Sequence, residues 1–163
     1  MTKIIEIERL IIKSSKPFEV VAAALKAAVG HPDMVEFVEA TNSARTFAEL
    51  ERSVYRWLGR TGLMMFMELD LGAVIRKESG LDTPKIVRFL IGNPLIMKEM
   101  ARHVPDAGSY APVTILVDER PDGVYLSYDK MASLLAHYRN PDVLAVARDL
   151  DSIIENLLRE SAA

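Results

Sequence analysis

The chain has 163 residues, 50% of them hydrophobic and 26% charged, which suits a globular protein with a substantial core. Its net charge of −3 offers no basic surface for nucleic acid. With 0 cysteines it lacks disulfides, zinc–thiolate sites, iron–sulfur clusters and thiol nucleophiles. Charged residues interrupt the apolar segments near the N-terminus, and none of the apolar runs approaches the roughly 18 residues of a membrane span. We therefore expect one cytoplasmic domain, residues 1–163, with neither membrane nor nucleic acid as partner.

The first predicted element is a strand over residues 3–13. Isoleucines alternate there with charged residues, which places Ile5, Ile7 and Ile11 on one side of the strand. This alternation is typical of a strand that has one apolar and one polar face.

Helices are predicted for the next part of the chain. Apolar residues at helical spacing follow Pro17, and Gly30 ends that helix. The segment 31–60 contains a short helix and then a second helix that opens with the capping box Thr46 and Glu49. We interpret this segment as a helical insert between the first and second strands, which either covers a face of the sheet or forms a partner surface.

The rest of the chain alternates strands with helices and includes a hairpin. Arg120-Pro121-Asp122-Gly123 separates two apolar runs and is a strong hairpin signal. The periodicity predicts strands over residues 64–70, 85–91, 110–119 and 124–129, and helices over residues 73–78, 94–104, 130–139 and from 141 onward.

These elements predict an α/β (α+β) fold with two layers. Helices separate the early strands, which permits parallel neighbours, whereas the hairpin requires antiparallel ones. We therefore expect a two-layer sandwich in which helices pack on a mixed sheet of about five strands. A C-terminal β-hairpin followed by two helices completes the prediction.

The junction Gly92-Asn93-Pro94 is the most informative motif. A strand ends at the glycine, the asparagine stands at an N-cap position, and the proline occupies the first helical position. Free backbone N–H groups and the helix dipole at such a junction can hold an anion or a polar ligand. The same residues also serve simply to start a helix, an effect of about 1 kcal/mol, as Asn140-Pro141 does elsewhere.

Four short motifs occur in order between Gly62 and Tyr128. They are the glycine-led strand Gly62-Leu63-Met64-Met65-Phe66-Met67-Glu68-Leu69-Asp70, then Gly92-Asn93-Pro94, Pro105-Asp106-Ala107-Gly108-Ser109-Tyr110-Ala111-Pro112 and Ser127-Tyr128-Asp129. Their order and spacing resemble the domain-of-unknown-function family numbered 302. The resemblance implies a compact α/β sandwich, often a homodimer, with no established activity.

The chain departs from the family pattern at three places. Leu71 stands where family members often carry histidine, and Val113 stands where some carry cysteine. The resemblance implies that any chemistry performed by those two side chains in relatives is absent here. The segment 31–60 is the third departure.

Two carboxylates and three histidines are candidates for reactive groups. Glu68 and Asp70 face the same side of a strand, which suits acid–base catalysis if their pKa values are separated. Pairing with a basic residue is the alternative, and the nearby candidates are Arg76, Lys85 and Arg88. The histidines are too dispersed for a local metal motif, and no metal or cofactor is predicted; they are His31, His103 and His137.

Aromatic residues supply the remaining candidates. Tyr128 ends an alternating strand, so we expect it at the edge of the core with its hydroxyl bonded outward, or in the wall of a pocket near Asn93. Tyr55 and Trp57 lie on the helical insert and are candidates for a buried homodimer face, where aromatic residues are enriched.

Two classes of function follow. The preferred class is a non-catalytic module that binds a small polar or anionic ligand or assembles as a homodimer; its candidate ligand-binding residues are Gly92, Asn93, Asp70, Tyr128 and His103. The alternative is a small enzyme whose site forms at strand C-terminal ends near Asn93, Asp70 and Tyr128. It requires a cleft at Asn93 with two or more titratable groups. No nucleophile, metal or phosphate motif supports it, and no catalytic residue is assigned.

Overall fold

The structure, a computed structural model, describes residues 2–163. Within that range it contains five strands, seven α-helices and two 3₁₀ turns, and none of the helices is both long and apolar enough to cross a bilayer. The strands are β1 (Arg9–Ser14), β2 (Met64–Asp70), β3 (Ile86–Gly92), β4 (Val113–Arg120) and β5 (Gly123–Asp129). The helices are α1 (Phe18–Ala28), α2 (Met34–Ser43), α3 (Phe47–Tyr55), α4 (Gly72–Ser79), α5 (Pro94–Ala101), α6 (Met131–Leu135) and α7 (Pro141–Ala162). The 3₁₀ turns span Pro105–Ser109 and Ala136–Tyr138.

The five strands form one antiparallel sheet in the order β1-β5-β4-β3-β2. The α+β class, the five strands, and the final hairpin followed by helices are confirmed, but the prediction of a mixed sheet is wrong. Helices α4 and α5 each join strands that are antiparallel neighbours, so these connections reverse the chain instead of crossing over a face of the sheet. Periodicity cannot distinguish the two cases, because it carries no information about strand direction.

One face of the sheet carries the main core. Alternate residues of β3, β4 and β5 are buried, and α1 and α7 pack against them. Burial of each large apolar side chain stabilises the fold by about 1.5–3 kcal/mol. The apolar stripe predicted for the last helix is confirmed. The buried residues of α7 are Val143, Ala147, Leu150, Asp151, Ile154, Leu157, Leu158 and Ser161.

Strand β1 begins later than predicted, so Ile5 and Ile7 precede it, and Ile11 faces away from the core. Leu10 pairs with Tyr128 in β5 and packs on the main core with it, whereas Ile11 is 54% exposed. Residues before Arg9 have no strand neighbour, because β5 gives way to α6 at this point. The main chain of Glu8 instead binds the start of α6, accepting from the N–H of Lys130 at 2.9 Å.

The other face of the sheet is open. Outward-facing residues from all five strands align in one row across it, and they are Leu69, Arg88, Leu116, Ser127 and Ile11. Each is exposed or half-buried. We call this surface the open face.

Helices α2 and α3 pack on a second small core beside β2. Its buried residues are Phe37, Val54 and Met64, and Trp57 packs against them, whereas Tyr55 is exposed. The capping box of α3 is confirmed in modified form. Thr46 Oγ1 accepts from the N–H of Glu49 at 3.2 Å. The Glu49 carboxylate, however, accepts from the backbone N–H of Arg45, the residue before Thr46, at 2.7 Å.

Gly30 joins this helical segment to β2. Its N–H donates to the carbonyl of Leu63 at 2.9 Å, and its carbonyl accepts from Met65 at 2.8 Å. A Cβ at this position would lie 1.7 Å from the carbonyl oxygen of Trp57. Only glycine permits the two backbones to approach so closely.

Three other elements are shorter than predicted. Helix α5 ends at Ala101, and a 3₁₀ turn precedes β4, which therefore starts at Val113 and not at Tyr110. Pro112 has no N–H for the ladder, which explains why β4 cannot begin earlier. Helix α6 ends at Leu135, and Arg139 adopts a left-handed conformation with φ of 53° before α7 starts.

Candidate functional site

Two neighbouring concavities contain three of the five candidate residues. The first, here called the polar groove, has a volume of about 450 Å³ and lies on the open face. Its floor consists of outward-facing residues of β1, β3, β4 and β5, and its rim consists of Ser109, Tyr110, Pro112 and two residues of α6. The floor residues are Arg9, Arg88, Thr114, Leu116, Ser127 and Asp129. Tyr128 also lines the groove.

Arg88 carries the uncompensated charge of the polar groove. It donates to Thr114 Oγ1 at 3.1 Å and forms no ion pair with a carboxylate of residues 2–163. The other two charges cancel, because Arg9 donates to both carboxylate oxygens of Asp129 at 2.5 and 2.8 Å. The floor therefore has one net positive charge, which favours an anion.

Hydroxyl groups surround this charge. The hydroxyl of Thr114 accepts from Arg88 and retains its own proton for donation. Within the described chain, the hydroxyls of Ser109, Tyr110 and Ser127 form no hydrogen bond with protein atoms. These groups can donate to the oxygens of a carboxylate or phosphate held by Arg88.

The second concavity, here called the apolar pocket, has a volume of about 170 Å³ and lies at the start of α5. Its walls include Phe66, Met97, Met100 and Leu150, and none of its lining residues is titratable. The junction Gly92-Asn93-Pro94 forms one side of it. Pro112 and Val113 line both the polar groove and the apolar pocket, so the two concavities adjoin at the start of β4.

Both functional groups of the Asn93 side chain bind the protein itself. Its Oδ1 accepts from the N–H of Leu95 at 2.8 Å, which caps α5, and its Nδ2 donates to the carbonyl of Gly62 at 2.9 Å. The predicted N-cap is therefore confirmed. The side chain in addition links α5 to the loop before β2.

A more open cleft on the other side of Asn93, between α3, α5 and α7, does contain titratable groups. Glu99 is ion-paired with Lys98 and accepts from Arg102 at 3.0 Å, and these two bases hold the pKa of its carboxyl below the usual range. A carboxyl that remains ionised near neutral pH is a poor general acid. The cleft therefore has the required number of titratable groups, but Glu99 is not suited to act as a general acid.

Tyr128 is buried, and its hydroxyl points inward and not outward as predicted. It donates to Asp151 of α7 at 2.7 Å. The same carboxylate accepts from the N–H groups of Met131 and Ala132 at 2.7 and 3.0 Å, so it caps α6 from outside that helix. Burial, followed by the charge of Asp151, raises the pKa of Tyr128, and burial also raises the pKa of Asp151. The network links β5, α6 and α7, and it leaves Tyr128 no free hydroxyl proton to donate to a ligand.

Asp70 lies far from the other candidates. It ends β2 opposite Val87, whereas the start of β2 pairs with Gly92, so Asp70 and Gly92 lie at opposite ends of the sheet. Arg76 donates to Asp70 at 2.6 Å and holds the pKa of its carboxyl below the usual range. Glu68 pairs with Lys26 at 2.8 Å. The antiparallel sheet thus does not assemble Asn93, Asp70 and Tyr128 into one site.

The histidines are equally dispersed. His103 is exposed after the end of α5 and lines neither concavity. His31 contacts the carbonyl oxygen of Lys26 through Nε2 at 2.7 Å, and the ring of His137 contacts that of Tyr138 at a tilt of 41°, with 3.9 Å between centroids. Among residues 2–163, no group of three or more metal-ligating side chains is arranged to hold an ion.

Sequence reasoning missed the polar groove. The sequence suggests Arg88 only as a partner for Glu68 or Asp70, and it predicts no binding role for Thr114 or Ser127. Alternation along β3 does place Arg88 on the sheet face opposite to that of the buried Phe89, and this indicates that Arg88 is exposed. The neighbours of Arg88 on β4 and β5 depend on the strand order, however, and no local pattern encodes that order.

The geometry defines an α+β protein with a helix-covered sheet face, an open face and two adjoining concavities. The family model for "Domain of unknown function DUF302" matches residues 39–160, and the chain belongs to this family. The match extends beyond the 62–128 region that contains the four motifs, and it includes most of the 31–60 segment, which was predicted to be a departure from the family. No curated protein matches the chain.

A solved structure supports the fold. The chain is similar to a crystal structure of an uncharacterized conserved DUF302 protein from Bacillus stearothermophilus, with a TM-score of 0.65 and 13% sequence identity. The similarity covers 94% of this chain and 97% of that one. At this identity the likeness concerns the fold alone.

Proposed function

We propose that this protein is a non-catalytic module that binds a small anionic ligand in the polar groove. The observation that carries the proposal is the state of Arg88, an arginine that has no carboxylate partner among residues 2–163 and is held in place by Thr114. Guanidinium groups bind carboxylate and phosphate with charge-assisted hydrogen bonds. Residence in a reducing cytoplasm is part of the proposal and rests on the 0 cysteines of the chain.

The roles of the candidate residues differ under this proposal. Arg88 supplies the charge, Thr114 and Ser127 donate from their hydroxyls, and Tyr128 forms part of the wall. Gly92 and Asn93 frame the adjoining apolar pocket. Asp70 and His103 line neither concavity, so we assign them no part in binding.

A titration of inorganic phosphate, followed through backbone amide shifts, tests the proposal. We expect shifts centred on Arg88, Thr114 and Ser127. Arg88→Gln should lower the affinity about tenfold or more, because a hydrogen bond to a charged group contributes about 1.5–3 kcal/mol. Arg52 is an exposed arginine of α3 without an ion pair among residues 2–163, so Arg52→Gln is the matched control.

Two outcomes contradict anion binding in the groove. One is an affinity for phosphate that Arg88→Gln and Arg52→Gln reduce equally. The other is a set of amide shifts that lie away from the open face. Either result would mean that phosphate binding depends on the net charge of the protein and not on the polar groove.

A homodimer is the second candidate, and exposed apolar residues on the open face favour it. Ile11 and Met67 are 54% and 48% exposed and belong to the two edge strands, β1 and β2. The two residues lie on opposite edges of the same face, so one partner that spans the face would bury both. A second copy that rests on both edges would roof the polar groove without filling it, so assembly and ligand binding are compatible.

A further inference from the structure

We infer that the ligand is amphipathic, an aryl-alkyl carboxylate whose anionic group binds Arg88 and whose ring occupies the apolar pocket. This inference rests on the proposed anion site and extends it by naming the ligand class. It follows from the contact between the two concavities, from the size and chemistry of the apolar pocket, and from the short distance between that pocket and the charge.

The apolar pocket fits a single aromatic ring. Its volume is about 170 Å³, and an apolar protein cavity of roughly 150 Å³ takes up benzene. Phe66 presents an aromatic face or edge, and Met97 and Met100 present polarizable sulfur atoms that contact rings favourably. With no titratable group in the lining, a charged head group is disfavoured inside the pocket. The charge of the ligand must therefore remain outside.

A short linker is enough to connect ring and charge. Pro112 lines both concavities, and Thr114, which binds Arg88, is two residues further along β4. Two strand residues span about 7 Å, and alternate residues point to the same face. Three methylene groups between a phenyl ring and a carboxylate bridge a span of this order. The uncompensated charge of Arg88 lies where that carboxylate would emerge.

Gly92 offers a way to close the pocket without disturbing the fold. A Cβ built on Gly92 would lie 3.4 Å from Pro112 Cβ and 3.6 Å from Phe66 Cε2, which is ordinary van der Waals contact. Alanine is thus accommodated, and its methyl group narrows the pocket between Pro112 and Phe66. Gly108 provides the matched control, since a Cβ there meets nothing within 4 Å.

The experiment compares 4-phenylbutyrate with butyrate by amide-shift titration of the full chain. We expect 4-phenylbutyrate to bind about tenfold or more tightly, since full burial of a Phe-sized group is worth a factor of that order. Gly92→Ala should abolish most of this advantage and leave butyrate affinity unchanged, whereas Gly108→Ala should change neither. Met97→Ala, a second variant, should also reduce the advantage. Arg88→Gln should weaken both acids by the same factor.

The outcomes separate the two proposals. If both acids bind equally and Arg88→Gln weakens both, the anion site stands and the amphipathic ligand is overturned. If 4-phenylbutyrate binds more tightly but Gly92→Ala and Met97→Ala have no effect, the ring lies elsewhere and the inference is again overturned. If Arg88→Gln affects neither acid, the anion site itself fails. Thermal unfolding of each variant checks that it is folded.

Discussion

One side chain, Asp151, ties three elements together at the residue scale. Its carboxylate accepts from the hydroxyl of Tyr128 in β5 and from the N–H groups of Met131 and Ala132 in α6, while the residue itself belongs to α7. Isolated buried carboxylates are costly, but this one accepts from three donors, and of these only Met131 has an alternative acceptor, the Tyr128 hydroxyl oxygen at 3.2 Å. Its value to the fold therefore depends on hydrogen-bond acceptance more than on charge.

Replacement of Asp151 tests this account. We expect Asp151→Ala to lower the free energy of unfolding by about 3 kcal/mol or more, because each buried donor left unpaired costs about 1–3 kcal/mol. Asp151→Asn keeps one oxygen for the Tyr128 hydroxyl and the Met131 N–H and loses only the acceptor of Ala132, so it should cost less near neutral pH. Urea unfolding measures both variants. Equal losses for the two would show that charge, and not acceptance, is what the site requires.

The stability difference between the native protein and Asp151→Asn should depend on pH, and the pKa of Asp151 fixes the direction of that dependence. Burial raises the pKa of Asp151 above its ordinary value of 3.8, so the folded state takes up a proton at higher pH than the unfolded chain. Between those two values the stability contributed by this group rises as the pH falls. Asparagine cannot titrate, so the advantage of the native protein over Asp151→Asn should grow from about pH 7 to about pH 4. A constant or shrinking advantage would contradict the raised pKa.

At the element scale, the features that were predictable depend on residues close in sequence. The cap at Asn93, the hairpin turn and the stripe of α7 each involve side chains within a few positions of one another. The face of β1 and the polar groove depend instead on partners far along the chain. Leu10 faces inward because it lies beside Tyr128, and Arg88 meets Thr114 because β3 and β4 are antiparallel neighbours. Local periodicity contains no information of that kind.

Asn93 stabilises more than one element, because it caps α5 and also binds the loop before β2. We expect Asn93→Ala to cost about 1–2 kcal/mol for the cap and roughly 1 kcal/mol more for the lost bond to Gly62. Asn140→Ala is the matched control, since Asn140 caps α7 before a proline and its side chain contacts only the first turn of that helix. Phosphate affinity should not change in either variant. A thermal melt unaltered by Asn93→Ala, together with weaker phosphate binding, would instead make Asn93 a ligand-binding residue.

At the scale of the whole molecule, the sheet is covered on one side only. Helices α1 and α7 occupy the inner face, while exposed Ile11 and Met67 remain at the edges of the open face. Exposed apolar residues on a solvated sheet face are candidates for an interface, and a second copy is the partner that every solution of the protein provides. In a two-fold symmetric dimer, the open faces of the two copies would pack against each other, and the edge strands of each copy would contact the open face of the other.

Light scattering at increasing protein concentration tests this arrangement. For a chain of 18.2 kDa we expect a mass of about twice that value, and Ile11→Glu should return it to the mass of one chain. Glutamate is tolerated in the monomer because Arg9 and Lys13 flank it on the same face of β1. Val35→Glu, which replaces an exposed residue of α2, is the control and should leave the dimer intact. A native protein that stays at 18.2 kDa excludes the dimer, and a dimer that survives Ile11→Glu has its interface on another surface.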